Sequence, residues 1–112
     1  MPSRVFAACF LFVCAMIQTP RPALAACFEI VGCTSDERFS GDALRRFSCQ
    51  NLAFLRNTIY AENGYCFKSP EYSTVFLKET CRYSNASDVP LNEYESANVT
   101  AILKAEKGNG CR

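Results

Sequence analysis

The chain has 112 residues, with twelve basic and eleven acidic side chains, a formal net charge of +1 and no histidine. Because charges of both signs are mixed along a nearly neutral chain, the composition does not favour binding to nucleic acid or to another polyanion. The lack of histidine excludes nucleophilic sites of the Ser-His-Asp and Cys-His types. No cofactor motif occurs, and no Cys-x-x-Cys pair is present to hold a metal, so we expect neither a cofactor nor a metal.

Residues 1–25 are predicted to be a secretory signal peptide. Arg4 precedes an apolar run over residues 5–17, and Ala23 and Ala25 supply small side chains at −3 and −1 of the cut. The apolar run is too short to span a bilayer, which takes about 20 helical residues. We therefore expect cleavage after Ala25, no transmembrane segment, and a periplasmic or secreted mature chain whose cysteines form disulfides.

A lipid anchor is the alternative outcome at the same place. Residues 24–27 also fit a bacterial lipoprotein box, in which Cys27 becomes the acylated first residue. Two features favour soluble export instead. The polar residues 18–22 separate the apolar run from the cut, and lipidation would leave five cysteines, an odd number, in an oxidising compartment.

Residues 26–47 are predicted to form an N-terminal arm with one short helix. The first part of this segment has no helical periodicity and contains turn-forming residues such as Gly32. Ser40 is placed to cap a short helix over residues 43–47, on which Leu44 and Phe47 share a face.

The second half of the chain has the patterns of three longer helices. Ser48 caps the first, Leu52, Leu55 and Ile59 lie on one face of it, and Gly64 is placed to end it.

Ser69 and Pro70 are typical of a second helix start, and the helix is predicted to reach residue 79, with Tyr72, Val75 and Phe76 on one side. Asn92 and Glu95 have capping-box spacing and open a third helix to about residue 107, whose heaviest apolar residues are Val99, Ile102 and Leu103. The predicted fold class is all-α: a small, disulfide-stapled domain of three to four helices with an irregular N-terminal arm.

The run Leu-Arg-Asn-Thr-Ile-Tyr-Ala-Glu-Asn-Gly, which begins at residue 55, resembles the YARHG domain of exported bacterial proteins. In that family, Leu-Arg-Asn-x-Ile precedes Tyr-Ala-Arg-His-Gly, and Tyr-x-Phe-x-Ser follows. Residues 91–99 are similar to its closing Leu-x-x-x-Glu-x-x-Asn-Ile helix. The resemblance implies that residues 48–112 are a YARHG-like periplasmic or extracellular module with no established biochemical activity. This chain departs from the motif at Glu62 and Asn63, which replace Arg-His.

Four polar or aromatic residues within this motif are candidate site residues: Arg56, Asn57, Tyr60 and Glu62. They have two interpretations. In the favoured one they are structural anchors, with Arg56 paired to an acid and Asn57 bonded to a loop backbone. In the other, Arg56 and Asn57 form a recognition patch with Tyr60 and Glu62.

Six cysteines follow the signal peptide, and six cysteines allow 15 pairings. If the helices that begin after Ser48 and Asn92 are antiparallel, the start of one meets the end of the other, and a cysteine lies at each of those ends. Two cysteines flank the intervening helix, and the two in the arm can close a local loop. We predict Cys27–Cys33, Cys49–Cys111 and Cys66–Cys81.

The leading functional hypothesis is a non-catalytic binding or envelope-associated module whose partner is an unknown protein or envelope component. One alternative is a cell-wall-acting enzyme or enzyme accessory, because a glycosidase needs two carboxyl groups and acid pairs occur at residues 36–37 and 93–95. Another is a secreted inhibitor or effector, since small cysteine-rich proteins often have that role.

Overall fold

The structure is a computed structural model that describes residues 26–76 and 81–112. The predicted signal peptide, residues 1–25, lies outside the described residues. Within them the fold is mostly helical, and four of its elements are α-helices. In chain order the elements are β1 (Cys27–Phe28), β2 (Gly32–Cys33), α1 (Gly41–Leu44), α2 (Cys49–Glu62), α3 (Pro70–Val75), a 3-10 turn (Ala86–Asp88) and α4 (Glu93–Gly108).

Strands β1 and β2 form a small antiparallel ribbon in the N-terminal arm. Cys27 pairs with Cys33 in this ribbon, and Phe28 pairs with Gly32. The all-α prediction is therefore right for the helical part of the fold and wrong for the arm. Strands of two residues are too short to show the alternation of polar and apolar side chains that identifies a strand in a sequence.

Helices α2 and α4 pack against each other and enclose most of the core. The Ser48 side chain accepts a hydrogen bond from the Asn51 backbone N–H, which confirms the predicted N-cap of α2. Asn92 and Glu95 form the predicted capping box at the start of α4. The buried core contains Val31, Phe39, Leu44, Leu52, Leu55, Ile59, Val99, Ile102 and Ala105.

Gly64 ends α2 as predicted, with a φ of +94°. A Cβ atom at this position would lie 3.3 Å from the Tyr83 ring. The Gly64 carbonyl accepts hydrogen bonds from the backbone N–H groups of Arg82 and Tyr83, at 2.7 and 3.0 Å. Only glycine combines a left-handed backbone with so close an approach, so this residue both stops the helix and positions the segment that follows Cys81.

The short helix predicted over residues 43–47 lies two residues earlier, as α1. Ser40 is its N-cap residue, but the Ser40 side chain makes no capping hydrogen bond. After α1 the Phe47 N–H bonds to the Leu44 carbonyl three residues back, at 3.1 Å. Such a tight turn continues the hydrophobic spacing of a helix without its hydrogen bonds, which is why the sequence pattern placed the helix too late.

Helix α3 begins at its predicted cap, where the Ser69 side chain accepts a hydrogen bond from the Tyr72 N–H. The helix ends at Val75, with Phe76 as its C-cap residue, so it stops before the predicted end at Glu79, which lies outside the described residues. Tyr72, Val75 and Phe76 were expected on one side of the helix, but Tyr72 and Phe76 are half-buried whereas Val75 is 59% exposed. A six-residue helix makes fewer than two turns, so hydrophobic spacing does little to fix which side packs.

The buried face of α4 contains polar as well as apolar residues. Of its three heaviest apolar residues, Val99 and Ile102 are buried, but Leu103 is 48% exposed. The buried face continues instead through Glu95 and Asn98, which are 6% and 1% exposed. Hydrophobic spacing alone does not predict this face, because it contains two polar residues whose hydrogen bonds make their burial favourable.

Within residues 26–76 and 81–112, three disulfide bonds join the cysteine pairs predicted from the sequence. The Cys49–Cys111 bond connects the start of α2 to the residues after α4, as antiparallel packing requires. The three bonds are Cys27–Cys33, Cys49–Cys111 and Cys66–Cys81.

Among the helices of the described residues, none has the length and apolar character needed to cross a membrane.

Candidate functional site

The Arg56 guanidinium pairs with the Glu106 carboxylate, which joins the middle of α2 to the last turns of α4. One guanidinium nitrogen lies 2.5 and 2.6 Å from the two carboxylate oxygens. The side chains are 27% and 13% exposed. An acidic partner for Arg56 was expected, and a partly buried pair of this kind is stronger than an exposed one because water screens it less.

We expect Arg56→Met to lower the free energy of unfolding by about 2 kcal/mol, because it leaves the Glu106 carboxylate buried without its partner. Urea unfolding at 25 °C measures this loss. The double variant Arg56→Met with Glu106→Gln should recover part of the lost stability, since neither charge then remains.

The matched control is Arg38→Met: Arg38 contacts Glu93 at 2.7 Å, but that carboxylate side chain is 80% exposed. Its loss should stay below about 1 kcal/mol, and equal losses for the two arginine variants would contradict the prediction.

Asn57 and Tyr60, the other two candidates within α2, make contacts that are separate from those of Arg56. Asn57 is half-buried, and its side chain has no hydrogen-bond partner among the described residues, so the expected bond to a loop backbone is not found there. The Tyr60 ring is half-buried and meets the Tyr65 ring edge-on, with 6.0 Å between their centroids. These two side chains therefore do not join Arg56 in one polar constellation.

Glu62 and Asn63, which depart from the family motif, link the end of α2 to two other parts of the fold. Glu62 accepts hydrogen bonds from the Ala26 backbone N–H and, at 2.9 Å, from the Thr34 hydroxyl. The Asn63 amide donates to the Glu95 carboxylate at 2.6 Å and to a carbonyl of its own helix. The motif end of α2 thus holds the N-terminal arm through one residue and the start of α4 through the other.

Three carboxylates, those of Glu62 in the motif and of the acid pair Glu93 and Glu95, each have a different contact within the chain. Glu62 binds the arm, Glu93 pairs with Arg38, and Glu95 accepts the capping-box bond from the Asn92 N–H at 2.9 Å. These contacts account for each carboxylate separately. They give no geometric support to a shared catalytic pair built from these three.

A cluster of possible metal ligands in the arm has an equally simple explanation. The sulfur of Cys33 lies close to carboxylate oxygens of Asp36 and Glu37. This sulfur belongs to the disulfide with Cys27, so it is not a thiolate ligand. The two exposed carboxylates that remain do not form a site on their own.

A run of aromatic rings in contact with one another connects α2 to α3. Phe67 is at its centre, with its ring centroid 4.8 Å from that of Tyr65 and 5.1 Å from that of Phe76. Phe76 in turn stacks on Phe54 of α2 at 5.6 Å. We call this set the aromatic cluster: Phe54, Tyr60, Tyr65, Phe67, Tyr72 and Phe76.

The aromatic cluster adjoins an open pocket of about 350 Å³ between the ribbon and α2, which we call the apolar pocket. Ile30 and Phe54 are exposed there, to 70% and 43%. The pocket was not predicted from the sequence, although Phe54 is a signal for it: this residue lies away from the face of α2 that contains Leu52 and Ile59, where a polar residue is the norm. The lining residues are Phe28, Glu29, Ile30, Phe47, Asn51, Phe54 and Leu55.

A second open groove, of about 690 Å³, lies between α1 and α4. Three of its lining residues are cations, Arg45, Lys104 and Lys107, and the others are glycines and alanines. The sequence mixes charges along the chain, so only the packing of α4 on α1 shows that these cations share one surface. Asp42 lies 3.6 Å from Arg45 and offsets part of the charge.

The family model of the YARHG domain matches residues 26–107, which is most of the chain. The chain belongs to the YARHG domain family. The match extends over the N-terminal arm as well as the helices, so the contacts of Glu62 with the arm lie inside the YARHG domain. Comparison with curated proteins gives no match, and comparison with solved structures gives none.

Proposed function

We propose that this YARHG domain is a non-catalytic binding module of the bacterial envelope, exported by its signal peptide and released into the periplasm by cleavage after Ala25. Three disulfides support an oxidising location, because such bonds persist outside the cytosol and not within it. The family match supports a small exported module. The polar residues of the motif support a structural role for that motif, since Arg56 and Glu62 are engaged within the chain.

The apolar pocket is the observation that carries the binding role. Exposing Ile30 and Phe54 to water is unfavourable by roughly 25 cal/mol for each Å² of apolar surface, so a partner that covers them gains that free energy. The pocket has an apolar floor, and Glu29 and Asn51 supply polar groups at its edge. An apolar centre with a polar rim is the usual anatomy of a protein interface.

The partner that best fits this pocket is an envelope protein that inserts one apolar side chain. The volume, about 350 Å³, is near the lower end of the roughly 300–1,000 Å³ found for small-molecule sites. It therefore suits a side chain better than an extended glycan. Phe54 is already held by stacking on Phe76, which leaves it little conformational freedom to lose on binding.

The test uses the whole mature protein, after removal of the signal peptide, and an extract of the envelope of its native host. Proteins retained by the wild type are identified, purified and titrated by calorimetry against variants. Phe54→Ser should raise the Kd at least tenfold, about 1.4 kcal/mol, as expected for a central aromatic contact. Val75→Ser is the matched control, because Val75 is more exposed than Phe54 and lies outside the pocket.

An unchanged Kd for Phe54→Ser would remove the apolar pocket from the proposed function. Two further arms identify other occupants. Sedimentation at increasing concentration shows whether a second copy of the chain fills the pocket. Replacing Lys104 and Lys107 together by glutamine shows whether the basic groove between α1 and α4 binds the partner instead.

A further inference from the structure

The backbone of Ala26 is fixed on both sides by the folded domain. Its N–H donates to the Glu62 carboxylate, and its carbonyl accepts from the Thr34 N–H at 3.0 Å. Thr34 is fully buried, and its hydroxyl donates to the second oxygen of Glu62 at 2.9 Å. The next residue, Cys27, is in the disulfide of the ribbon. The nitrogen of Ala26 therefore contacts the Glu62 carboxylate directly, and Thr34 and the ribbon disulfide hold the surrounding backbone in place.

We propose that Glu62 is the binding site for the α-ammonium group that cleavage after Ala25 creates, so that removal of the leader completes an ion pair between the new N-terminus and α2. This inference rests on the export step of the proposed function. Hydrolysis adds water across the Ala25–Ala26 peptide bond. The new carboxyl group leaves with Ala25, and the amine of Ala26 takes up a proton to become a cation.

Cleavage changes the chemical nature of the donor that Glu62 faces, while the Ala26 nitrogen stays in the same place. A peptide N–H is neutral and has one hydrogen, whereas an α-ammonium group has three hydrogens and a full positive charge. Hydrogen bonds between charged partners are roughly twice as strong as neutral ones. Both Ala26 and Glu62 are half-buried, so water screens the attraction less than at an open surface.

The identity of residue 62 agrees with this assignment. The family motif has arginine here, and an arginine would repel an ammonium group at the distance of a hydrogen bond. This chain has the opposite charge at that position, and the carboxylate contacts the arm rather than α4. Glu62 thus differs from the motif residue in charge, and its specific partner is the α-ammonium group of Ala26.

The same geometry argues against a lipid anchor at Cys27. Cleavage before Cys27 would remove Ala26 and with it the donor to Glu62 and the acceptor for Thr34. Acylation of the Cys27 sulfur as a thioether would also prevent its disulfide with Cys33. A cut after Ala25 keeps all of these interactions.

A double-mutant cycle on exported, processed protein tests the ion pair. One change is Glu62→Gln. The other inserts a serine between Ala25 and Ala26, which moves the ammonium group one residue away and leaves a peptide N–H at Ala26; intact mass verifies each N-terminus. In the Glu62 protein the insertion should lower the folding equilibrium constant about fivefold, the size expected for a charged pair that is partly shielded from water. In the Glu62→Gln protein it should change the constant less than twofold.

Equal effects of the insertion in both backgrounds would overturn the inference, even if cleavage after Ala25 occurs. Glu29→Gln is the matched control, because Glu29 is exposed and near Ala26 in sequence; with this change the insertion should keep its fivefold effect. A second measurement is the rate of acylation of the α-amine in the native protein. It should rise in Glu62→Gln, and an unchanged rate would contradict the pair. Failure of these tests leaves export and binding through the apolar pocket standing, so the two proposals fail separately.

Discussion

Replacement of Cys49 and Cys111 by serine is expected to lower the free energy of unfolding by about 4 kcal/mol. The bond closes a loop with a sequence separation of 62 residues, and the chain-entropy account gives roughly 4 kcal/mol for a loop of that size. Small domains have only about 5–15 kcal/mol of stability in total. The double-serine variant should therefore unfold at a much lower urea concentration than the wild type.

The Cys66–Cys81 bond is the internal comparison, because its sequence separation is 15 residues. The same account predicts about 3 kcal/mol for its removal, so the Cys49–Cys111 pair should be the more destabilising. Urea titrations of the two double-serine variants at 25 °C measure both losses. The reverse order would show that local packing around the cysteines outweighs loop closure in this fold.

Asn98→Leu is expected to be about equally damaging, with a loss of roughly 4 kcal/mol from three unsatisfied backbone groups. The Asn98 oxygen accepts from the Phe39 N–H at 2.9 Å, and its nitrogen donates to the carbonyls of Thr34 and Glu37 at 3.1 and 2.8 Å. The side chain is 1% exposed, so water cannot replace these bonds. Leucine has the same number and branching of side-chain heavy atoms, so it removes the hydrogen bonds without opening a cavity.

Asn109→Leu is the matched control. Asn109 also donates to two backbone carbonyls, those of Arg45 and Phe47, but it is exposed. Water can satisfy those carbonyls after the change, so we expect a loss of about 1 kcal/mol or less. Hydrogen exchange provides a second measurement, since the Phe39 amide should lose protection only in Asn98→Leu. Equal losses of stability in the two variants would contradict the assigned role of Asn98.

The helix starts could be predicted because their causes are local. Ser48 and Asn92 act within three residues of the backbone N–H groups that they cap, so the sequence contains the whole interaction. Gly64 was predictable for the same reason, because a left-handed residue ends a helix through its own φ angle. The cysteine pairs then depended on one assumption, the antiparallel arrangement of α2 and α4.

The buried polar face of α4 could not be predicted in this way. Asn98 is favourable in the core only because backbone groups of the arm, about 60 residues earlier, reach it. Hydropathy gives Leu103 the greater tendency to be buried, yet Leu103 is exposed and Asn98 is not. Long-range hydrogen bonds override hydropathy at these two positions.

The candidate sites show the same division between local and distant causes. An acidic partner for Arg56 was expected, but its identity as Glu106 depends on the packing of α2 on α4. The contact of Glu62 with the arm and the apolar pocket beside Phe54 both depend on where the ribbon lies. Two-residue strands give no pattern from which that position follows.

Intact-mass analysis and non-reducing peptide mapping of the protein purified from its native host test export, the new N-terminus and the disulfide pairs at once. We predict a chain that begins at Ala26, carries no lipid and contains three disulfides, with Cys49 linked to Cys111. A chain that begins at Met1 with free thiols would contradict export, the ion pair of the new N-terminus and the disulfide-supported fold together.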